Sequence, residues 1–239
     1  MKFLYEDTIM NQVLHERQTL YMKRLYAEDL PMVERVQQTV TDSLPEKATL
    51  QPLTREEFLF ILNERGLLVG AFAEDRLIGF RALLIPEIDE EHLGWDIGLP
   101  EEELPKVIYQ EISVVLPEYR GNRLQQKLAE VIMKELPKLE KDYRYVCCTV
   151  APMNIPSLKD KFSQNMHIAA LKEKYGTMKR YVLMKDLENA NPRYTDFQHT
   201  KLDDLEKQQA LLAEGYAGVG FALVKGFHEL EFAKPILDN

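Results

Sequence analysis

The sequence predicts a mixed α/β sandwich, a central mixed sheet flanked by helices, that carries a carboxy-terminal helix and strand pair as an extension. Three observations predict it. Residues 107–117, 123–136 and 144–151 read as strand, amphipathic helix and strand, the order of a parallel crossover. Two apolar runs around Glu74-Asp75-Arg76 read as a hairpin. After residue 187 the texture changes to a polar stretch, a helix and a glycine-rich apolar tail. A chain of 239 residues is too long for one minimal domain and short for two large ones, which fits a core of residues 1–187 with an appendage of residues 188–239.

Taken in order, residues 1–17 are mixed and polar and suit a short leading helix or arm. Residues 18–26 read as a first strand. Leu30, Val33 and Val36 or Val40 then recur at helical spacing, with Pro31 in the first turn. Thr54 with Glu57 three residues on forms a capping box for a helix whose buried side is Phe58, Ile61 and Leu62, and Gly66 ends it. In the hairpin of 67–85 only Arg81 interrupts the second apolar run. Residues 87–106, dense in acidic side chains, read as a long surface connection with a turn of helix near 101–105. Trp95 there is either a ring over the core edge or a wall of a substrate pocket. The central helix has an apolar stripe of Leu124, Leu128, Val131, Ile132 and Leu136. A short helix over 154–165 follows the strand 144–151, and strands 167–174 and 180–186 meet across Tyr175-Gly176-Thr177. In the extension, 188–200 reads as linker, 201–214 as a helix with Leu202, Leu205 and Leu212 on one side, and 216–236 as a glycine-rich hairpin.

Composition narrows the function classes. With 45% hydrophobic residues, 29% charged and a net charge of −9, the chain suits a soluble globular protein. Its negative average repels nucleic-acid phosphate, and no concentrated basic patch offsets it. The longest apolar runs, such as 67–73, stop short of the roughly 20 residues that cross a bilayer, and the amino-terminal segment lacks the apolar stretch of a signal peptide. Cys147 and Cys148 are adjacent and point to opposite faces of a strand, so they do not form a disulfide framework, and a reducing cytoplasm is the simplest location. No spacing of His, Cys and acidic residues suggests a metal site. Neither a nucleotide P-loop nor a dinucleotide GxGxxG pattern occurs.

The most informative junction is Val115 to Leu128, where a strand ends, the chain turns at Arg120-Gly121-Asn122 and a helix begins. Free N–H groups at a helix start, with Arg120, Arg123 and Lys127 nearby, make a local anion site in an acidic molecule. Gly121 permits a tight turn or the close approach of a phosphate.

Val115-x-Pro117-Glu118-Tyr119-Arg120-Gly121-Asn122 followed by an amphipathic helix resembles the acyl-CoA-binding segment of the GNAT (GCN5-related N-acetyltransferase) superfamily. A second segment, 150–162, resembles the family's later N-x-x-[AS]-x-x-x-[YF] stretch through Asn154 and Ser157. The resemblance spans residues 18–187 and rests on the order and spacing of these motifs. It implies pyrophosphate contact for Arg120, Gly121, Asn122, Arg123, Leu124 and Gln125, largely through main chain. Val115 would lie near the thioester, and Asn154 and Ser157 toward the pantetheine and the 3′-phosphate end. Asn154 also fits a plain helix cap. The sequence departs from the family pattern in four places: Arg123 stands at a common glycine, Gln125 replaces a small residue, Lys161 occupies the place of the tyrosine that protonates the leaving thiolate, and Met166-His167 stand near the usual Gly-aromatic pair.

Amine acylation needs a base, because an ammonium has no lone pair for attack. Glu111, four residues before Val115, is the leading candidate, and period-two alternation places Glu111, Ser113 and Val115 on one sheet face. His167 is either a base or an ordinary strand residue, and His92 reaches a pocket only if the acidic connection folds over it. Tyr175 and Tyr181 either line the acceptor side or pack in the core. The resemblance implies an N-acetyltransferase moving an acetyl group from acetyl-CoA, as cosubstrate, to a small-molecule or peptide primary amine by direct attack in a ternary complex. The alternative is a non-catalytic acyl-CoA-binding or interaction module on the same fold. A homodimer through the carboxy-terminal extension is expected, with no nucleic-acid or membrane partner.

Overall fold

The computed structural model describes residues 3–45, 50–189, 191–224 and 226–236. Residues 1–2 of the expected leading arm, and 190, 225 and 237–239 of the extension, lie outside the described residues. The elements run β1 (Tyr5–Asn11), β2 (Glu16–Arg24), α1 (Leu30–Asp42), α2 (Arg55–Phe60), β3 (Gly66–Ala73) and β4 (Arg76–Leu84). After these come α3 (Leu93–Asp96), β5 (Val107–Val115), α4 (Leu124–Glu135), β6 (Tyr145–Val150) and α5 (Ile155–Ser163). The chain closes with β7 (His167–Lys174), β8 (Met178–Asp186), β9 (Tyr194–Thr200), α6 (Leu205–Ala213), β10 (Ala217–Val224) and β11 (Phe227–Pro235). The mixed class is as the sequence predicts, sheet flanked by helices.

The chain packs as two compact units, Met1–Pro86 with Ile108–Asp142, and Glu87–Val107 with Tyr143–Asn239. In the first, the strand order is β1-β2-β3-β4-β5, every neighbouring pair antiparallel. The apolar stripe of α4 is buried as expected and packs on β3 and β4, while α1 packs on β4. The Thr54–Glu57 capping box forms, with Thr54 Oγ1 accepting the Glu57 N–H at 3.2 Å and Glu57 Oε2 accepting the Thr54 N–H at 2.6 Å. Two expectations change here. Residues 5–11 are not a helix or loose arm but a strand in a hairpin with β2, with Ile9 3% and Asn11 4% exposed on its inner side. Arg81 does not interrupt the buried run. It is itself 1% exposed, and its guanidinium donates to Gln110 Oε1 at 3.4 Å.

In the second unit the order is β6-β8-β7-β10-β11-β9. The acidic connection carries α3 and a 3₁₀ turn at Glu101–Lys106, close to the helical turn expected at 101–105. It is anchored rather than loose: Lys174 on β7 is buried and pairs with Asp96 at 2.7 Å and Glu91 at 3.0 Å. His92 is buried as the cap of α3, its Nδ1 accepting the Gly94 N–H at 3.1 Å, and burial pushes its pKa down. The expected linker of 188–200 contains β9, which pairs with β11 from Tyr194 to Thr200. Its polar composition hid it, since an edge strand needs only one buried face. The buried side of α6 is Leu211 and Gln208 rather than Leu202, Leu205 and Leu212.

Gln208 explains that shift. It is fully buried, with Oε1 accepting from the Tyr181 hydroxyl and Nε2 donating to the Lys201 carbonyl at 2.8 Å and the Leu202 carbonyl at 3.2 Å. Tyr181, also fully buried, is therefore core and not an acceptor-side residue. Removing one member strands buried polar groups. Gln208→Ala is expected to lower stability by about 2–3 kcal/mol in urea titrations. Tyr181→Phe should cost less, and the double variant less than the sum of the two.

Candidate functional site

In the first unit β5 ends where Val115 pairs with Gly79. Leu116 then donates its N–H to the Ile78 carbonyl at 2.9 Å, and Pro117–Tyr119 form one 3₁₀ turn. Gly121 has φ +84° and Arg123 φ +56°, both left-handed, before α4 starts at Leu124. A Cβ at Gly121 would meet open space, so the backbone angle and not packing demands glycine there. Arg123 caps α4 with no side-chain bond to the helix start. Among the described residues, the N–H groups of Gly121 through Gln126 meet no acceptor, and Lys127 is the first to find one, the Arg123 carbonyl at 3.1 Å. Such a run, at the positive end of a helix dipole, is suited to an anion.

The side chains around the turn divide. Arg120 and Arg123 are exposed, Arg120 donating to Ser43 Oγ at 3.2 Å. Lys127 does not join them, because its ammonium is held by Asp7 at 2.6 Å. Leu124 is buried and pins the helix start, and Gln125 is half-buried. Asn122 turns its amide away from the N–H run, toward the Met10 backbone. Tyr119 sits below at 2% exposure, its hydroxyl donating to Gln18 Oε1 at 2.7 Å. Its ring was part of the recognised motif, but its partners on β1 and β2 lie about a hundred residues away and leave no local signal.

Glu111 occupies a β-bulge: Ile112 pairs with Ala82 and Gln110 with Leu83, leaving Glu111 as the extra residue. The burial alternation carries through the bulge all the same: Gln110, Ile112 and Val114 are buried, while Glu111 and Ser113 are half-buried. Glu111 keeps some surface, yet the protein around it strips much of its hydration. That desolvation, with the Glu57 carboxylate adding to it, lifts its pKa from 4.5 to about 7. Composition and spacing hold no sign of Glu57's part, which depends on where α2 packs.

In the second unit Asn154 caps α5, its Oδ1 accepting the Ser157 N–H at 3.2 Å, and Ser157 is half-buried in the first turn. Lys161 and Asp160 are both buried, Nζ to Oδ2 3.6 Å. His167 is held neutral, burial pushing its pKa to about 4, beside the Tyr194 hydroxyl at 3.4 Å from Nδ1. Tyr175 is exposed and bonded to Thr149 Oγ1 at 3.1 Å. Trp95 is 43% exposed, its indole N–H donating to the Asp89 carbonyl at 3.0 Å. Cys147 and Cys148 are free and buried, and burial pushes the Cys147 thiol up, away from thiolate chemistry. No cluster of metal-ligating side chains occurs among the described residues. Likewise, no helix among them is long and apolar enough to cross a membrane. The turn 120–125, Val115 and Glu111 thus belong to the first unit, and Asn154 and Ser157 to the second.

Arg123 takes a left-handed angle that glycine adopts freely, whereas a Cβ there costs roughly 1–2 kcal/mol. Arg123→Gly is expected to raise the urea midpoint by the equivalent of about 0.5–1 kcal/mol, after the entropy glycine adds to the unfolded chain. Arg123→Ala should leave the midpoint near that of the parent, because the backbone strain stays.

No protein-family model and no curated protein matches the chain. Solved structures do. An acetyltransferase of the GNAT family from Streptococcus pneumoniae superposes with a TM-score of 0.52 at 15% identity, covering 70% of this chain and 98% of its own. Arabidopsis thaliana NAA60, crystallised in complex with acetyl-CoA, gives 0.55 at 17% identity over 71% of this chain and 99% of that one. The ribosomal-protein-S18-alanine N-acetyltransferase of Escherichia coli gives 0.51 at 15% identity, over 69% and 92%. At these identities the likeness concerns architecture: the chain has the fold of the GNAT acetyltransferases.

Proposed function

We propose that this chain is an N-acetyltransferase that moves an acetyl group from acetyl-CoA to a primary amine within a ternary complex. The observation that carries the reading is the run of N–H groups from Gly121 to Gln126 without an acceptor, next to the exposed Arg120 and Arg123. A pyrophosphate supplies several acceptor oxygens and negative charge, which is what that run and the helix dipole lack. In this reading Arg120, Gly121, Asn122, Arg123, Leu124 and Gln125 form the phosphate cradle. Val115 lies by the thioester through its backbone, and the family resemblance assigns Asn154 and Ser157, of the second unit, to the pantetheine and nucleotide portions.

Glu111 is the proposed base. With a pKa of about 7 it is half ionised near neutrality, where a base is most effective. It takes the proton that the amine nitrogen must shed, directly or through water. The nitrogen forms a bond to the carbonyl carbon, the carbon–sulfur bond breaks, and the electron pair leaves on sulfur, which then acquires a proton. The tyrosine place holds Lys161, which is buried against Asp160, and solvent is the assigned proton source for sulfur. We further propose a homodimer using the extension, and a cytoplasmic location in keeping with two free cysteines.

Isothermal titration with acetyl-CoA and CoA is expected to show binding by both, and no heat with either would remove the acetyl-CoA reading and its non-catalytic alternative together. Thiol release against a panel of amines separates the two, with turnover expected. Glu111→Gln should lower kcat/KM by about 10²–10⁴-fold and abolish the rise of rate through pH 7. Unchanged turnover would remove Glu111 as the base. The same variant should be more stable than the parent at pH 8. A carboxyl whose folded pKa is raised binds its proton more tightly when folded, so its stability contribution falls as pH climbs from 4.5 through 7. The full difference is on the order of 3 kcal/mol, read as a higher melting temperature for Glu111→Gln at pH 8 and a smaller gap at pH 4.

A further inference from the structure

The strand the sequence did not foretell, β1, runs beside the turn just described and is fastened to it at three levels. Asp7 pairs with Lys127 of α4 at 2.6 Å. The Met10 N–H donates to Asn122 Oδ1 at 3.2 Å, and Asn122 Nδ2 donates to the Met10 carbonyl at 2.9 Å. The Gln12 N–H donates to the Glu118 carbonyl at 2.8 Å. One side-chain amide thus serves Met10 as an adjacent strand residue would, giving and taking a bond at a single position. The same Nδ2 reaches the Tyr119 carbonyl at 2.9 Å and so braces its own turn. Beneath it, the buried Tyr119 hydroxyl donates to Gln18 on β2 and accepts from Asn11 Nδ2 at 3.3 Å.

Asn122 sits between Gly121 and Arg123, the two left-handed residues. A turn with a non-glycine residue in that region is strained and persists only if its surroundings hold it. The bonds that hold it come from β1 and β2, and none of them consumes an N–H of Gly121 through Gln126. The fastening therefore fixes the shape of the cradle while leaving its donors open.

We infer that the amino-terminal hairpin is a working part of the cofactor grip, with Asn122 as the positioning residue that couples β1 to the phosphate-binding turn. The inference rests on the proposed function for the identity of the anion, a pyrophosphate-bearing acyl carrier. Asn122 acts through the backbone it holds, and the hairpin contributes pre-organisation rather than contact.

Two measurements on the full chain test it. Hydrogen exchange of the parent protein with and without CoA should show slowed exchange at 121–126 and, in step, at Met10 and Gln12. Titration of Asn122→Ala should show CoA binding weakened about tenfold, while binding of pantetheine, which lacks the pyrophosphate, changes less than twofold. Tyr119→Phe, which keeps the ring and removes the hydroxyl tether, should weaken CoA in the same selective way by a smaller factor. Equal losses for CoA and pantetheine would mean a merely structural role and overturn the inference. So would CoA protection at 121–126 with exchange at Met10 and Gln12 unaltered, a readout that does not depend on any variant folding. If CoA fails to bind the parent protein at all, the proposed function falls first and the inference with it.

Discussion

Six consecutive backbone N–H groups at the start of α4 need acceptors that the described chain does not supply, and much of the first unit is arranged around leaving them so. A helix start is ordinarily closed by Ser, Thr, Asn or Asp at the cap. Thr54 caps α2, Asn154 caps α5 and Asp204 caps α6 in that way, while Asp29 at α1 makes no such bond and α3 is capped by His92. At α4 the cap is Arg123, left-handed and without a bond to the helix. The nearest residue able to cap, Asn122, spends its amide on Met10 and Tyr119 instead. The uncapped start of α4 is thus held in shape by specific bonds.

Burial at β5 works on the same principle with charge in place of donors. The bulge at Glu111 leaves a carboxyl in surroundings that disfavour its ionised form, with Glu57 opposing ionisation further. Stability alone would favour an amide or an apolar residue at that position. Both features set local stability against a chemical property, a free donor run in one case and a poised base in the other.

The features legible in the sequence were those with local causes. The capping box at Thr54, the α4 stripe from Leu124 to Leu136, the 66–84 hairpin and the glycine at 121 each follow from neighbours a few residues apart. Hidden features had distant causes. β1 reads as polar because its outer residues face water and its order comes from β2, Asn122 and Lys127. Leucine spacing points to an all-apolar face of α6, whereas Gln208 is buried through a partner on β8 that only the fold brings near. At Glu111 the period-two alternation carries through, whereas the bulge depends on the register with β4 and leaves no mark in the local sequence.

The extension is subject to the same reasoning. β10 enters the second unit beside β7 through Gly218, where a Cβ would lie 2.9 Å from the Ile168 side chain, so the glycine there is a condition of pairing. α6 supplies Gln208 as an acceptor for the Tyr181 hydroxyl, and Leu230, Phe232 and Ala233 of β11 are fully buried. Helix α6 and strands β10 and β11 therefore complete the second unit's own core. β9 closes the strand order, and its edge is ill suited to further pairing: it bulges opposite β11, Asp196 is left-handed at φ +53°, and that carboxylate is engaged by Tyr216. Bulges and charges on a terminal strand discourage edge-to-edge growth. A second copy of the chain, if it docks on the extension, is thereby directed to the faces of these strands and away from the β9 edge.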